Sequence, residues 1–166
     1  MINKLMIVAH PDDEIIFGGA FLLAEKGWKV ICVTNGGNKV RSKEFRKVMK
    51  DTGAEYEMWD YKDKWGGDFN RKSLKKDIEN VLKANPEITM IVTHSKGGEY
   101  GHSQHKALHE IVKEIAPDKL YIFKRSKQKL DKGVLKRKYT LLKRYKSQDI
   151  DWLKKYIEYE NIRKYK

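Results

Sequence analysis

The sequence predicts an α/β fold, a Rossmann-like three-layer sandwich around a mostly parallel sheet. Two observations carry that reading. Five short apolar runs rich in β-branched residues recur along the chain, and several are apolar throughout, as strands buried on both faces are. Between them lie segments of helical length, several with apolar positions at 3.6-residue spacing, and such alternation implies right-handed βαβ crossovers. There is no internal repeat, low-complexity stretch or convincing linker, so residues 1–166 read as a single domain.

The elements follow in order. The run Leu5-Met6-Ile7-Val8-Ala9 gives a first strand over about Lys4 to Ala9, closed by Pro11, which has no N–H and biases His10 toward extended backbone. A helix is expected from about Phe17 to Lys26, with Gly18-Gly19 allowing close approach to the sheet. Strand 2 is Lys29 to Thr34. A helix over Ser42 to Thr52 stops at Gly53, and strand 3 is Glu55 to Trp59. After a polar loop, Leu74, Ile78, Val81 and Leu82 form the buried stripe of a helix ended by Asn85-Pro86. Strand 4 is Ile88 to Thr93. Leu108, Ile111, Val112 and Ile115 mark the next helix, which Pro117 closes before strand 5, Lys119 to Phe123. Tyr139 to Leu142 suggests a sixth strand, and Ile150, Leu153 and Ile157 line a final helix.

The first strand runs straight into His10-Pro11-Asp12-Asp13-Glu14. Unpaired carboxylates in a dry interior are costly, so these acids belong where the strand end opens to solvent or a metal. His10 and Asp13 can face one space as ligands for a divalent cation, leaving Asp12 free for another role. An ordinary alternative is a helix start with Asp12 or Asp13 as N-cap. The second half of a site lies far along the chain, where strand 4 is followed by Gly98-Glu99-Tyr100-Gly101-His102-Ser103-Gln104-His105. In parallel α/β sheets ligand sites sit at the strands' carboxyl ends, where two such loops can meet. No Gly-x-Gly-x-x-Gly follows strand 1, which argues against a dinucleotide site.

The string Ala9-His10-Pro11-Asp12-Asp13-Glu14 resembles the signature of the PIG-L/LmbE-like zinc N-deacetylases, and Gly98 to His105 is similar to that family's second, His-x-x-His motif. Thr34-Asn35-Gly36-Gly37 after strand 2 and Ser147-Gln148, expected to open the last helix, are weaker echoes in the family's order. The resemblance implies a hydrolase that removes the N-acetyl group from an N-acetylglucosamine-type sugar, free or linked to a glycoside, lipid or nucleotide. It implies Zn²⁺, with Fe²⁺ as the cellular alternative, on His10, Asp13 and His105. Asp12 would be the general base and His102 an oxyanion or second-layer group. Arg41 and Glu44 resemble a sugar-contacting Arg-x-x-Glu, which as a solvated i,i+3 pair would be ordinary. Tyr100, Trp59, Trp65 and Trp152 offer faces for a sugar ring, although aromatics usually serve cores. Gln104 stands where the family often has an acid, which would deprive His102 of a carboxylate partner. Glu14 reads either as support for the site or as a favourable charge at a helix N-terminus. His94 ends strand 4 within reach of the site, and His109 reads as a surface or lightly packed residue without a role.

Composition frames this site. Hydrophobic residues make up 40% and charged residues 36%, as in a globular domain with a highly charged surface. Cys32 is the only cysteine and lies in an apolar run, so a buried thiol is expected and no internal disulfide can form. No signal-peptide pattern is present, nothing approaches the ~18 apolar residues of a membrane span, and a cytoplasmic location is expected. The net charge is +13, and Lys124 to Lys146 holds eleven Lys or Arg against one acid, Asp131. That block suits an anionic group such as a phosphate on the sugar. Nucleic acid is disfavoured because no recognised binding motif accompanies the charge. A homo-oligomer is left open. Two other classes compete with the enzyme: a basic module for nucleic acid or anionic polymer, and a catalytically silent sugar-binding relative.

Overall fold

A computed structural model describes residues 1–166. Its centre is a six-stranded sheet in the order β3-β2-β1-β4-β5-β6, with β1 Lys4–Val8, β2 Trp28–Thr34, β3 Glu55–Tyr61, β4 Met90–Thr93, β5 Leu120–Arg125 and β6 Glu160–Lys164. The first five strands pair in parallel and β6 adds an antiparallel edge. Side chains alternate across the pleat. Met6, Val8, Val30 and Cys32 enter one core; Leu5, Ile7, Ile31 and Val33 enter the other.

Helices cover both faces. The Met6 side packs on α1 (Asp13–Ala24), α2 (Lys39–Thr52), α6 (Lys132–Leu142) and α7 (Lys154–Glu158). The Leu5 side packs on α3 (Arg71–Ala84) and α5 (Ser103–Ile115), which a one-turn element, α4 (Gly98–Gly101), precedes. The three-layer sandwich is therefore as expected. In α1, Gly18 lies so close to the sheet that a Cβ there would stand 2.5 Å from Met6 Cε. The helix thus sits low on the strands that carry the motif loops. Gly53 ends α2 in the left-handed region at φ 73°.

Four expectations are corrected. Helix α1 begins at Asp13 instead of Phe17, so Asp13 and Glu14 occupy its first turn, where the helix dipole favours them. Tyr139 to Leu142 is not a strand: it ends α6, which Asp131 caps by accepting from the Val134 amide at 3.0 Å. Lys138, Leu141, Leu142 and Tyr145 fall at i, i+3, i+4 and i+7 and are all buried, a helical stripe disguised by its lysine. The expected final helix is a 3₁₀ turn at Asp151–Leu153 and the short α7, and Ser147-Gln148 lies in the preceding turn, opening neither. The polar segment Glu160–Lys164 then forms β6. Its charges sit on a sheet edge, where they discourage pairing with another chain.

Candidate active site

Strand β1 lies between β2 and β4, and the chain reaches β4 by crossing back over it after β3. The carboxyl ends of β1 and β4 therefore flank the sheet's topological switch point, where a crevice opens. His10, Asp12 and Asp13 stand after β1; His94, Glu99, His102 and His105 stand after β4.

Their side chains converge. His10 Nδ1 is 3.3 Å from His105 Nε2 and 3.4 Å from Asp13 Oδ2, and His105 Nε2 is 3.2 Å from Asp13 Oδ2. Each ring is oriented from its far side. The Gln104 amide donates from Nε2 to the Lys62 carbonyl at 2.7 Å, while its Oε1 accepts the Lys64 amide at 3.2 Å. With Oε1 so defined as acceptor, His10 Nε2 at 2.8 Å must carry the hydrogen, and the Nδ1 lone pair is left facing Asp13. His105 Nδ1 lies 3.2 Å from Glu99 Oε1, close enough for the carboxylate to favour a proton on that nitrogen although the pair lacks hydrogen-bond geometry. In the neutral ring such a proton leaves the Nε2 lone pair toward Asp13. Once His10 and His105 give up their second protons, three lone-pair atoms face one point. Their spacing fits a tetrahedron of about 2.0–2.2 Å bonds, whose edges are about 3.3–3.6 Å. The donor set, two imidazoles and a carboxylate, suits zinc.

His94 offers a rival set with Asp13 and His105, as does His102 with His10 and His105. In both, a ring lone pair is already taken. His94 Nε2 accepts the Ala9 amide at 3.0 Å and its Nδ1 meets Glu99 Oε1 at 2.5 Å, so it pins the end of β1 to the loop after β4. His102 Nδ1 accepts the Gln104 amide at 3.1 Å and caps α5, which leaves an N–H on Nε2. The carboxylate partner expected to be missing from His102 is replaced by this cap, and Gln104 serves His10 instead.

Asp12 occupies the N-cap position of α1 at φ 112°, ψ −30°, a conformation rare for a residue with a side chain. Its carboxylate makes no capping bond. Glu14 holds the strained backbone by accepting the Asp12 amide at 3.0 Å, and Tyr145 in turn donates to Glu14. Glu14 is therefore a brace. Burial raises its carboxyl to about 7. Burial, then Asp13 and Glu14, push Asp12 well above the usual carboxylate range. Burial would raise Asp13 too, but His105 and His10 outweigh it and hold that carboxyl low. Burial, with His10 and His105 beside it, lowers His102 to about 4 and keeps it neutral.

The other expected residues divide. Tyr100 is at the site, its ring 5.3 Å from His105 and 6.2 Å from His102. Arg41 reaches it indirectly, donating to Pro11 O and Asp63 Oδ2, both at 3.0 Å. Glu44 does not reach it: its carboxylate takes the Ser147 amide at 3.0 Å and the Ser147 hydroxyl, so Arg41 and Glu44 form no pair. Exposed Trp65 stands edge-on to His102 at 4.7 Å, and exposed Trp152 edge-on to Tyr100 at 4.8 Å, while Trp59 is half-buried in β3. His109 is buried, its Nδ1 2.9 Å from the His94 carbonyl, where a surface or lightly packed position was expected. Lys138, counted with the basic block, is buried against Glu160 at 2.6 Å.

Two residues escaped the sequence reading. Asp63 lies 3.3 Å from His10 Nε2 and 3.0 Å from Asn35 Nδ2, tying the Thr34-Asn35 turn to the site; it sits in a polar loop with no periodicity to mark it. Glu99, at φ 59°, touches His94 and His105 and takes Ser95 N and Oγ at 2.7 Å each. An acid directly after Gly97-Gly98, three residues before His102, was its only signal.

The decisive comparison is with protein families: residues 5–116 match the model of the PIG-L family, described as GlcNAc-PI de-N-acetylase. The chain belongs to the PIG-L family. It is 38% identical over 182 residues to an uncharacterized protein, L374, of Acanthamoeba polyphaga mimivirus, covering 96% of this chain and 78% of that protein. Three solved structures share the PIG-L member's fold. A deacetylase of teicoplanin biosynthesis superposes with TM-score 0.71 at 14% identity, covering 93% of this chain and 90% of that one. Dbv21, the A40926 pseudoaglycone deacetylase, gives 0.68 at 17% identity, covering 90% and 83%. GalB, the 4-carboxy-2-hydroxymuconate hydratase of Pseudomonas putida, gives 0.66 at 18% identity, covering 94% and 83%. No helix is long and apolar enough to cross a membrane.

Proposed function

We propose that this PIG-L member is a metal-dependent N-deacetylase acting on an N-acetylglucosamine-type sugar. The convergence of two imidazole nitrogens and a carboxylate oxygen on one point, beside an acid left unbonded, carries the reading. The fold alone does not choose the reaction, since a hydratase shares it. Family membership and the donor set favour amide hydrolysis.

His10, Asp13 and His105 would hold the ion. Zinc so held lowers the pKa of a water to about 7 and polarises a carbonyl. Asp12 takes the proton from water as its oxygen adds to the acetyl carbon. Its raised proton affinity suits a group that must then return that proton to the amine nitrogen as the C–N bond breaks, giving acetate and the free amino sugar. His102, neutral and carrying its hydrogen on Nε2, donates to the oxygen on which negative charge develops. Tyr100, Trp65 and Trp152 rim the opening and offer ring faces to the sugar.

The test separates Asp12 from its neighbour. Metal content by emission spectroscopy and amine release from a panel of N-acetylhexosamine derivatives should give about one ion per wild-type chain and turnover on at least one sugar. Asp12→Asn should keep the ion and lose roughly 10²–10⁴-fold in kcat, whereas Asp13→Asn should lose the ion. Equal metal loss in both variants would overturn the separate roles. A metal-loaded protein that releases no amine from any sugar would sink the deacetylase.

A further inference from the structure

The loops after β4 and β5 enclose a second cavity of about 670 Å³, beside the histidine cluster. Phe17 and Glu99 line it, and both also touch His94 and His105. Five cations border it: Lys96, Lys124, Arg125, Lys127 and Lys155. None of the five forms an ion pair, because the neighbouring acids are engaged elsewhere. Lys129 holds Glu158 at 3.0 Å, Lys138 holds Glu160 at 2.6 Å, and the histidines hold Glu99. Like charges gathered around a concavity repel one another until an anion enters.

Phe17, Phe123 and Tyr156 give the lining an aromatic part, beside the engaged carboxylates of Glu99 and Glu160. Arg125 and Lys155 lie 5.9 and 5.3 Å from the centre of the Tyr156 ring. That ring steadies two cations at the rim through its π face. A guanidinium there can take two oxygens of a phosphate at once. Aromatic lining beside these cations suits an organic body carrying a phosphate better than a bare ion, and the volume is that of a small-molecule site. A second cationic hollow, lined by Lys43, Lys47, Lys143 and Lys146 at about 390 Å³, has no aromatic or aliphatic hydrophobic residue and lacks this combination. The Tyr156 hydroxyl donates to the Glu99 carbonyl at 3.2 Å, so an occupant would rest on the segment that orients His105.

We propose that this cavity binds the phosphate of a small organic phosphate ester and works with the neighbouring histidine site. The phosphate has two sources, the substrate's own arm or a separate effector. Titration of the full chain with phenyl phosphate at physiological salt, followed by phosphorus NMR, tests binding without reference to deacetylation. Arg125→Gln with Lys127→Gln and Lys155→Gln, all exposed, should weaken binding at least tenfold. Lys43→Gln with Lys47→Gln, and separately His105→Ala, should leave it unchanged. Equal weakening in the Lys43/Lys47 variant would reduce the effect to general charge, and loss only in His105→Ala would move the phosphate to the histidine site; either overturns the proposal. The second stage rests on the deacetylase reading. A tenfold fall in kcat/KM of the cavity variant for N-acetylglucosamine 6-phosphate alone identifies the substrate's arm. A change in turnover of neutral N-acetylglucosamine on adding phenyl phosphate identifies an effector. Binding with neither effect would overturn the link to the histidine site.

Discussion

Gln104 is the residue through which backbone geometry reaches the proposed metal. Two main-chain groups, Lys62 O and Lys64 N, set its amide orientation, and that orientation sets which nitrogen of His10 is free. Groups of this kind typically alter metal affinity 10–100-fold when removed. Gln104→Leu should therefore weaken zinc binding by about that factor, measured by competition with a chromophoric chelator. Gln104→Glu keeps both acceptor contacts and should lose less. Equal affinity in the wild type and Gln104→Leu would show that His10 is oriented otherwise. Glu99 stands 3.2 Å from His105 Nδ1, and its positive φ is one of only three among the non-glycine residues; another is Asp12. Backbone strain thus collects where the candidate chemistry does.

At the scale of elements, the Lys138–Glu160 pair joins α6 to the start of β6. Both side chains are wholly buried, and the ammonium also donates to Ile16 O at 2.8 Å and Ile157 O at 2.6 Å. Glu160 in return accepts the Ala20 and Phe21 amides of α1 at 3.0 and 3.2 Å. Four elements meet at one ion pair. Removing one partner strands the other charge, and such losses cost about 3–5 kcal/mol. Glu160→Gln should lower unfolding stability by about that much in urea titration, while Lys138→Met with Glu160→Leu should recover part of it. A single variant as stable as wild type would show that the pair does not hold the edge.

For the whole molecule, metal, protons and folding are linked. Burial alone would lower His10 and His105, but Asp13 and Asp63 outweigh it at His10, raised to about 10, and Asp13 and Glu99 at His105, raised to about 9. Raised folded-state values mean that these protons stabilise the metal-free fold fully below about pH 6.5 and that the contribution fades as pH climbs through 9 and 10. Metal binding displaces the same protons, so its contribution grows with pH. The gap in Tm between zinc-loaded and chelator-treated protein should widen from pH 6 to pH 9. At a hundredfold excess over Kd the metal contributes about 2.7 kcal/mol. A gap independent of pH would mean that the ion does not compete with these protons.

Apolar runs, helical spacing and turn chemistry are local, so the sequence by itself determined the parallel sheet, the helices on both faces and the two motif loops at its carboxyl edge. It also singled out His10 and Asp13 as candidates, since a histidine and an acid just past an apolar strand cannot be hidden cheaply. His105 is expected only from the resemblance of the segment Gly98 to His105 to the family's second motif. Only the tertiary structure decided what depends on distant partners. Lys138 reads as surface charge until Glu160 arrives from twenty-two residues away to bury it, and with it α6 reads as a strand. Glu160–Lys164 is polar enough to look like loop and becomes a strand because β5 has a free edge. Asp63, Glu99 and Gln104 acquire their roles from contacts with His10 and His105 that cross loops. Hydrogen-bond direction and charge pairing are properties of atoms brought together by folding, and no periodicity in the chain encodes them.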